Sequence, residues 1–523
     1  MLKLLSFLAF TGFVAVYSWY RLRKEKLNSS DGYFLGGRSL TGVIIAGSML
    51  LTNISTEHLV GMNGAAYRNG FIVIAWEVTS ALALVVCAVY FVPRYLKMGL
   101  TTIPQYLEYR FDGITRTLVA LFLIISFVVT LLPIVLFTGA INMESIFDIS
   151  AILNVNNTWG LRLTVLVIGI VGSVYAIFGG LKAVAFSDTI NGYGLLIGGL
   201  LVPVFALLDI GDNNIWRGLV SVYEHSPEKF NVMGAPDSVM PFEVLFTGLI
   251  INQLYFWCMN QAIVQRALGA ANLKEAQKGL LLTGVFKILV PLIIILPGVI
   301  GFYYFQDSYY NNQDHIYPEL VKRVLPVGLV GFFAAVVMGA VLSTFNSVLN
   351  SAATLFSVGI YKRHINEHAS EKRLVWIGRV TSAILAIVAI RVAPMMANAP
   401  DGLYQLLQQL NGIFFIPIAS VLLAGFFLKD ISAMAAKVAL ITGMAFYLIT
   451  TFILEIDLHF VHIWGIEFLL NIGVMYLVSY FYPNKNFYQP ADAGKVELTP
   501  WRYTRHMAIG LVIITILIYL LLS

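Results

Sequence analysis

The chain has 523 residues, 59% of them hydrophobic and 12% charged, which is more apolar material than one soluble core buries. A formal net charge of +5 raises nucleic acid as a partner, but the cations sit in short loops between apolar runs, not on one polar face, and that excludes it. The apolar runs are about 20 residues or longer and lack period-two alternation, so the sequence predicts an all-α integral membrane protein, not a barrel.

In chain order, the run 2–20 is followed by the basic cluster Arg21, Arg23, Lys24, Lys26 and has no small-residue cleavage site. It reads as a retained helix with its N-terminus outside. Further spans are predicted at 40–66, 70–93, 115–145, 160–178, 183–208, 241–264, 278–304, 326–358, 374–397, 403–428, 432–453, 457–481 and 506–522, about fourteen in all. Arg38, Arg94, Lys97, Arg110 and Arg116, with the stretches "YKRHINEHASEKR" and "TPWRYTRH", mark the inner loops and place both termini outside. The stretch 265–279 reads as an inner connection whose Arg266, Lys274 and Lys278 are positive-inside anchors. The longest outer loop, about 209–240, is too short for a domain, so residues 1–523 form one transmembrane unit. Cys87 and Cys258 have no metal-ligand spacing and read as small hydrophobes in packed helices.

Two predicted spans are interrupted by polar residues. One contains "LTNISTEHLVGM" at 51–62; the other is 241–264. Each opens a group of five spans, and because five is odd the second group runs through the bilayer in the opposite sense. That is the arithmetic of an inverted repeat, about 40–208 and 241–428, with a solute site at the midplane. Unwound backbone within a membrane needs an ion, a solute or a neighbouring helix to satisfy it. Ser343 and Thr344, in "GAVLSTFNSVLNSAATLFS", offer hydroxyl oxygens that suit a weakly held monovalent cation, sodium above all. The same residue types also bond back to their own helix turn or join helices together.

The segments "GYFLGGRSL" (32–40), "TNISTEHLVGMNGAAY" (52–67), "WEVTSA" (76–81), "YAIFGGLKAVAFSDTIN" (175–191), "NQLYFWCMNQAIVQRALGAANLKEAQKG" (252–279) and "LSTFNSVLNSAATLFSVGIYK" (342–362) resemble, in order, the solute:sodium symporter family. The resemblance implies a LeuT-like fold, with one helix before two inverted five-helix repeats and three after. It implies a sodium site formed by the carbonyls of Leu51, Ile54 and Ala340 and the hydroxyls of Ser343 and Thr344, with Asp188 on the inner sodium route. Asn53 and Ser55 would then brace the break, and Glu57 and His58 would turn to the solute. Matching positions for solute binding are His58, Glu77, Ser80, Gln253, Lys287 and Gln408. Aromatic gates fall at Trp76, Tyr255, Phe256, Trp257 and Tyr404. Against the family's galactose-carrying members, Leu131 replaces a sugar-binding asparagine and Phe256 an inner-gate tyrosine, while Gln253 stands for asparagine and His58 for glutamine.

Isolated charges at the depth of Glu77 and Lys287 cost at least ~2.5–3.5 kcal/mol each, so the two mark a function or a mutual pairing. The expected activity is sodium-coupled import of a small polar solute, most simply a sugar or sugar derivative, across a bacterial inner (plasma) membrane. The lipid bilayer is the surroundings, and no obligate protein partner is implied. Carboxylate or amino acid symport is the nearest alternative, with a sodium channel or a solute sensor further off. No catalytic residue is identified, and the glycine-rich stretches lack phosphate-loop spacing, so an enzyme or an ATP-driven pump is not expected.

Overall fold

Lipid offers no hydrogen-bond partners, so apolar runs of this length close their backbone bonds within helices. The computed structural model describes residues 1–22, 29–308, 313–398, 402–484 and 492–523, and most of the basic cluster after the first span lies outside them. Among the described residues, eleven stretches are long and apolar enough to cross a bilayer, and Leu2–Ser18 and Gly42–Asn53 are shorter apolar helices. Grouped by their breaks, the spans run Leu2–Leu22, Gly42–Asn53 with 57–69, 70–97, Gly113–Phe147, Asn157–Ile177, Gly180–Ile210, Gly248–Cys258 with Gln261–Leu268, Leu273–Phe305, Val327–Ile365, Glu371–Met396, Leu403–Phe427, Ala433–Ile453, Phe460–Phe481 and Thr504–Leu521. They are called the first to the fourteenth span below.

The second span breaks at Ile54, whose backbone is extended (φ −85°, ψ 94°). Thr52, Asn53 and Ser55 flank it, and their short polar side chains compete with helical bonds. The helix restarts when the amides of His58 and Leu59 bond the carbonyl of Ser55, both at 3.1 Å, and 57–62 form a widened π turn. The seventh span breaks at Met259–Asn260, where the Asn260 side chain accepts from the Ala262 amide at 2.9 Å and starts the second half.

Where the sequence predicts a connection between the fifth and sixth spans, the helices Asn157–Ile177 and Gly180–Ile210 meet almost directly, with the non-helical turn at Gly180 (φ 65°, ψ 178°). A left-handed residue lets the chain redirect within one position, which only glycine does cheaply. The predicted inner connection 265–279 is likewise mostly helix: Gln261–Leu268 completes the seventh span and Leu273 opens the eighth. Arg266 is therefore fully buried and is no surface anchor, whereas Lys274 is exposed and Lys278 half-buried.

The sixth span packs on the ninth and on the Gly42–Asn53 half of the second, and the eighth lies against the second and third. A Cβ on Gly192 would sit 2.8 Å from the Gly47 carbonyl oxygen, so the second and sixth spans approach through small residues. In the connection between the sixth and seventh spans, Lys229 donates to the carbonyls of Tyr67 (3.1 Å) and Arg68 (3.0 Å). It thereby satisfies the C-terminal end of the second span, where a cation is also favoured by the helix dipole.

Candidate functional site

The two breaks face a common cavity. Its walls come from both halves of the second span (Thr52, Asn53, Glu57, His58), the third (Trp76, Glu77, Ser80), the seventh (Asn252, Gln253, Phe256, Trp257, Asn260), the eighth (Lys287), the ninth (Thr344, Val348) and the eleventh (Tyr404, Gln408, Asn411). The space that a water centre can reach is about 60 Å³. That holds a few waters and falls below the usual range for an occupied small-molecule pocket.

Lys287, 1% exposed, bonds the Glu77 carboxylate and donates to Asn53 Oδ1 at 2.6 Å. Its Nζ also lies 5.5 Å from the centre of the Trp257 ring. The two charges are thus a pair, and the Asn53 side chain, at the break, accepts from the lysine of the eighth span. The His58 ring stands between two carboxylates, with Nδ1 3.5 Å from Glu57 and Nε2 3.6 Å from Glu77. Those separations are at or beyond the limit of hydrogen-bond length, and Glu57 Oε2 and His58 Nδ1 are buried without hydrogen-bond partners. Ser80 donates to Gln253 Oε1 at 3.1 Å, while Gln253 Nε2 donates to the Trp76 carbonyl (2.8 Å) and Thr79 Oγ1 (3.0 Å). These two side chains tie the third span to the seventh.

The aromatic positions divide. Tyr404 packs edge-on against both His58 (5.3 Å between ring centres) and Trp76 (6.0 Å). Trp76, Tyr404 and Gln408 also line a second cavity, so the two rings form the partition between the chambers. Phe256, Trp257 and Leu131 line the first chamber. Tyr255 does not: it packs on Phe415 with ring centres 4.2 Å apart, and its buried hydroxyl has no partner. Asn252, Asn260 and Asn411 line the cavity without having been singled out in the sequence. Their signal was asparagine within otherwise apolar spans.

At the break, Thr344 donates to the carbonyls of Thr52 (2.9 Å) and Leu51 (3.4 Å). Ser343 Oγ and Ser55 Oγ are buried with no hydrogen-bond partner, so Ser55 acts through its backbone carbonyl alone. Ala340, Ser343 and Thr344 fall at i, i+3 and i+4 and share one helix face. The Thr344 hydroxyl at the carbonyls of the uncoiled segment, and on the same helix face the Ser343 hydroxyl with the Asp188 carboxylate near it, are hard oxygen donors, and such donors fit a monovalent cation. Asp188 lies apart from the cavity lining. Its carboxylate accepts from Ser48 at 2.8 Å and faces Arg266 at 3.8 Å.

Structural comparison places the chain among LeuT-fold symporters. A Na+-coupled sialic acid symporter solved in a substrate-bound outward-open state matches 93% of this chain and 99% of its own, at a TM-score of 0.77 and 18% identity. The nucleobase-cation symporter Mhp1, in a closed conformation, matches 86% and 94% at a TM-score of 0.54 and 17% identity. In sequence, the uncharacterised symporter YidK of Escherichia coli (strain K12) is 45% identical over 99% of this chain and 90% of that protein. A sodium/glucose cotransporter of Vibrio parahaemolyticus is 31% identical over 83% and 81%. Sodium/myo-inositol cotransporters, that of Bos taurus among them, are 29% identical over 80% of this chain and 62% of their own length. Residues 33–443 match the sodium:solute symporter family, with sodium as the coupling ion, and the chain belongs to that family.

Proposed function

We propose that the protein imports a small, uncharged, polyhydroxylated solute, a sugar or sugar derivative, together with sodium, across a bacterial inner membrane with both termini outside. The observation that carries this reading is the Glu77–Lys287 pair at the wall of a cavity whose other polar lining is Glu57 beside His58, hydroxyls and carboxamides, with aromatic rings among them. The pair cancels its own charge, so it offers donors and acceptors to hydroxyls without demanding an ionic cargo. Lys287 is further engaged by Asn53, which argues against a carboxylate or amino acid as its counter-ion. The glucose and myo-inositol named for relatives support the same class.

In this reading sodium binds the carbonyls of Leu51, Ile54 and Ala340 with the Ser343 and Thr344 hydroxyls, and Asp188 serves its passage inward. The ion orders the uncoiled segment against the ninth span, and the ordered segment presents His58 and Glu57 to the solute. By reciprocity the solute raises sodium affinity by the same factor. A membrane potential supplies ~2.3 kcal/mol per charge per 100 mV and a tenfold sodium gradient about 1.4 kcal/mol. One ion per cycle therefore sustains roughly a 500-fold solute gradient.

The test is uptake into proteoliposomes of radiolabelled D-glucose, D-galactose, myo-inositol, acetate and alanine, with and without an inward sodium gradient. Accumulation of a neutral sugar or polyol only with sodium is expected. Uptake of acetate or alanine alone would replace the cargo assignment, and sodium current without accumulation would replace the mechanism.

A further inference from the structure

Glu467 of the thirteenth span lines neither cavity, is 0% exposed, and has no hydrogen-bond partner on either carboxyl oxygen. The span packs on the seventh, eleventh and twelfth. The cations of those three, Arg266 and Lys437, face Asp188 and Asp112, and their remaining titratable side chains are Cys258 and the phenols of Tyr255, Tyr404 and Tyr447. On its own span stand His462, which meets Thr247, and the exposed Tyr476 and Tyr480. Among the described residues no cation is therefore bonded to this acid.

Its immediate surroundings are polar but neutral. Asn471, one turn on along the same face, is 0% exposed; its Nδ2 donates to Ser420 Oγ at 3.3 Å and its Oδ1 has no partner. Gly443 of the twelfth span leaves the room, since a Cβ there would lie 2.6 Å from that carboxamide. Tyr447 stands nearby, its hydroxyl given to the Gln409 carbonyl at 3.0 Å. An ionised carboxylate so placed is uncompensated, and a membrane interior penalises that heavily. A metal ion is wrapped by many hard oxygens, whereas this helix face spares only those of Glu467 and Asn471 Oδ1, Ser420 giving its hydroxyl to the Ile416 carbonyl at 2.8 Å. A proton needs one oxygen to sit on and one to bond.

We propose that Glu467 is a proton-binding site, which holds a proton in this arrangement and gives it up when the Trp76–Tyr404 partition parts. Trp464 is the link, and that link rests on the transport reading above. It lies three residues before Glu467 on the same face, and its ring meets that of Trp76 with centres 6.2 Å apart. It packs so closely on the eleventh span that a Cβ on Gly412 would overlap its Nε1. Parting the partition uncovers Trp464 and admits water, which solvates the ionised form. On closing, one carboxylate oxygen takes a proton from hydronium and forms an O–H bond, leaving water; opening reverses the step.

The experiment is thermal melting of the purified full-length protein and of Glu467→Gln, a neutral isostere, from about pH 5 to pH 8, in sodium and in potassium. The unfolded chain ionises a glutamate above pH ~4.3, so a folded chain that keeps the proton loses stability against it as pH rises. The parent should fall behind Glu467→Gln with rising pH, by up to about tenfold in the unfolding constant per pH unit, equally in both salts. Glu467→Met, also neutral, should show the same divergence, which separates loss of the charge from any local effect of the glutamine. Parallel curves overturn the site. So does a gap present in potassium and absent in sodium, which assigns the carboxylate to the metal ion. In a Trp464→Ala background water reaches the acid and the gap should shrink; undiminished width overturns the link to the partition. None of these measurements uses a solute, so their failure is separate from failure of the transport reading.

Discussion

Two buried ion pairs lie in the membrane interior, and their surroundings differ. Glu77–Lys287 sits on the cavity wall with unpaired atoms of Glu57 and His58 beside it. Asp188–Arg266 sits away from the cavity, and its guanidinium is fully used: it bonds Ser48 Oγ at 3.0 Å, Ser347 Oγ and the Ala262 carbonyl. The first pair stands among cavity residues that keep partnerless polar atoms, and the second is bonded into a joint between the second, sixth, seventh and ninth spans. Charge type and burial are nearly the same in both, so the partnerless polar atoms around the first pair are the difference on which its proposed role in recognition rests.

The largest effect should come from breaking the cavity pair. Lys287→Met strands a carboxylate, which costs about 3–5 kcal/mol of stability and should abolish uptake. The double variant Glu77→Gln/Lys287→Met removes both charges and should regain most of the lost melting temperature without regaining solute binding. Recovery of binding would reduce the pair to a strut.

Arg266→Met should cost about 3 kcal/mol, the low end of the same range, because Asp188 keeps its Ser48 donor. Here the double variant Asp188→Asn/Arg266→Met, assayed at saturating sodium, should hold solute about as well as the parent. A loss of solute binding as deep as that of the cavity double variant would erase the contrast between the pairs.

Next in size are the two hydroxyls of the proposed ion site, which predict opposite signs in sodium-free protein. Thr344→Val leaves the Thr52 carbonyl unpaired and should destabilise by about 1–3 kcal/mol without sodium. Ser343→Ala removes an orphaned group, and its sodium-free melting temperature should be unchanged or higher. Both should weaken sodium binding, Ser343→Ala by about tenfold, which calorimetric sodium titration would measure. Unchanged sodium affinity in both would remove the site.

Much of this was legible in the sequence, because lipid makes every polar residue conspicuous. "LTNIS" announced the uncoiled segment, and Glu77 and Lys287 stood out as charges in apolar runs. Arg266 did not, since "QRALGAANLKEAQKG" has the composition of a loop, and only the break at Met259–Asn260 shows that its first part continues a span. The Asn53–Lys287 bond joins residues 234 positions apart, a contact that local pattern does not carry. Tyr255 and Phe256 are neighbours with equal claims to a gate by type, and helix rotation alone turns one to Phe415 and the other to the cavity.

A third pair, at the membrane boundary, sharpens the comparison by its weakness. Asp112 Oδ2 accepts from Lys437 at 2.7 Å, and Oδ1 accepts from the Thr115 amide and hydroxyl, both at 2.8 Å, as the N-cap of the fourth span. Burial pushes its acidity towards the neutral form, but the Lys437 and Thr115 bonds outweigh that and hold the carboxyl below its ordinary 3.8. The stabilisation is therefore present above pH 3.8 and lost as pH falls through the lowered folded value. With both side chains partly exposed, 20% and 34%, solvent screens the attraction, so Lys437→Ala should cost under about 1 kcal/mol. Asp112→Ala should cost about 1–2 kcal/mol, because it also removes the cap. Melting curves between about pH 5 and pH 3 should show the gap between Asp112→Ala and its parent closing as the carboxyl protonates. If Lys437→Ala proved the costlier change, the ion pair rather than the cap would be the source of stability there, and boundary charges would have to be counted alongside the buried joints.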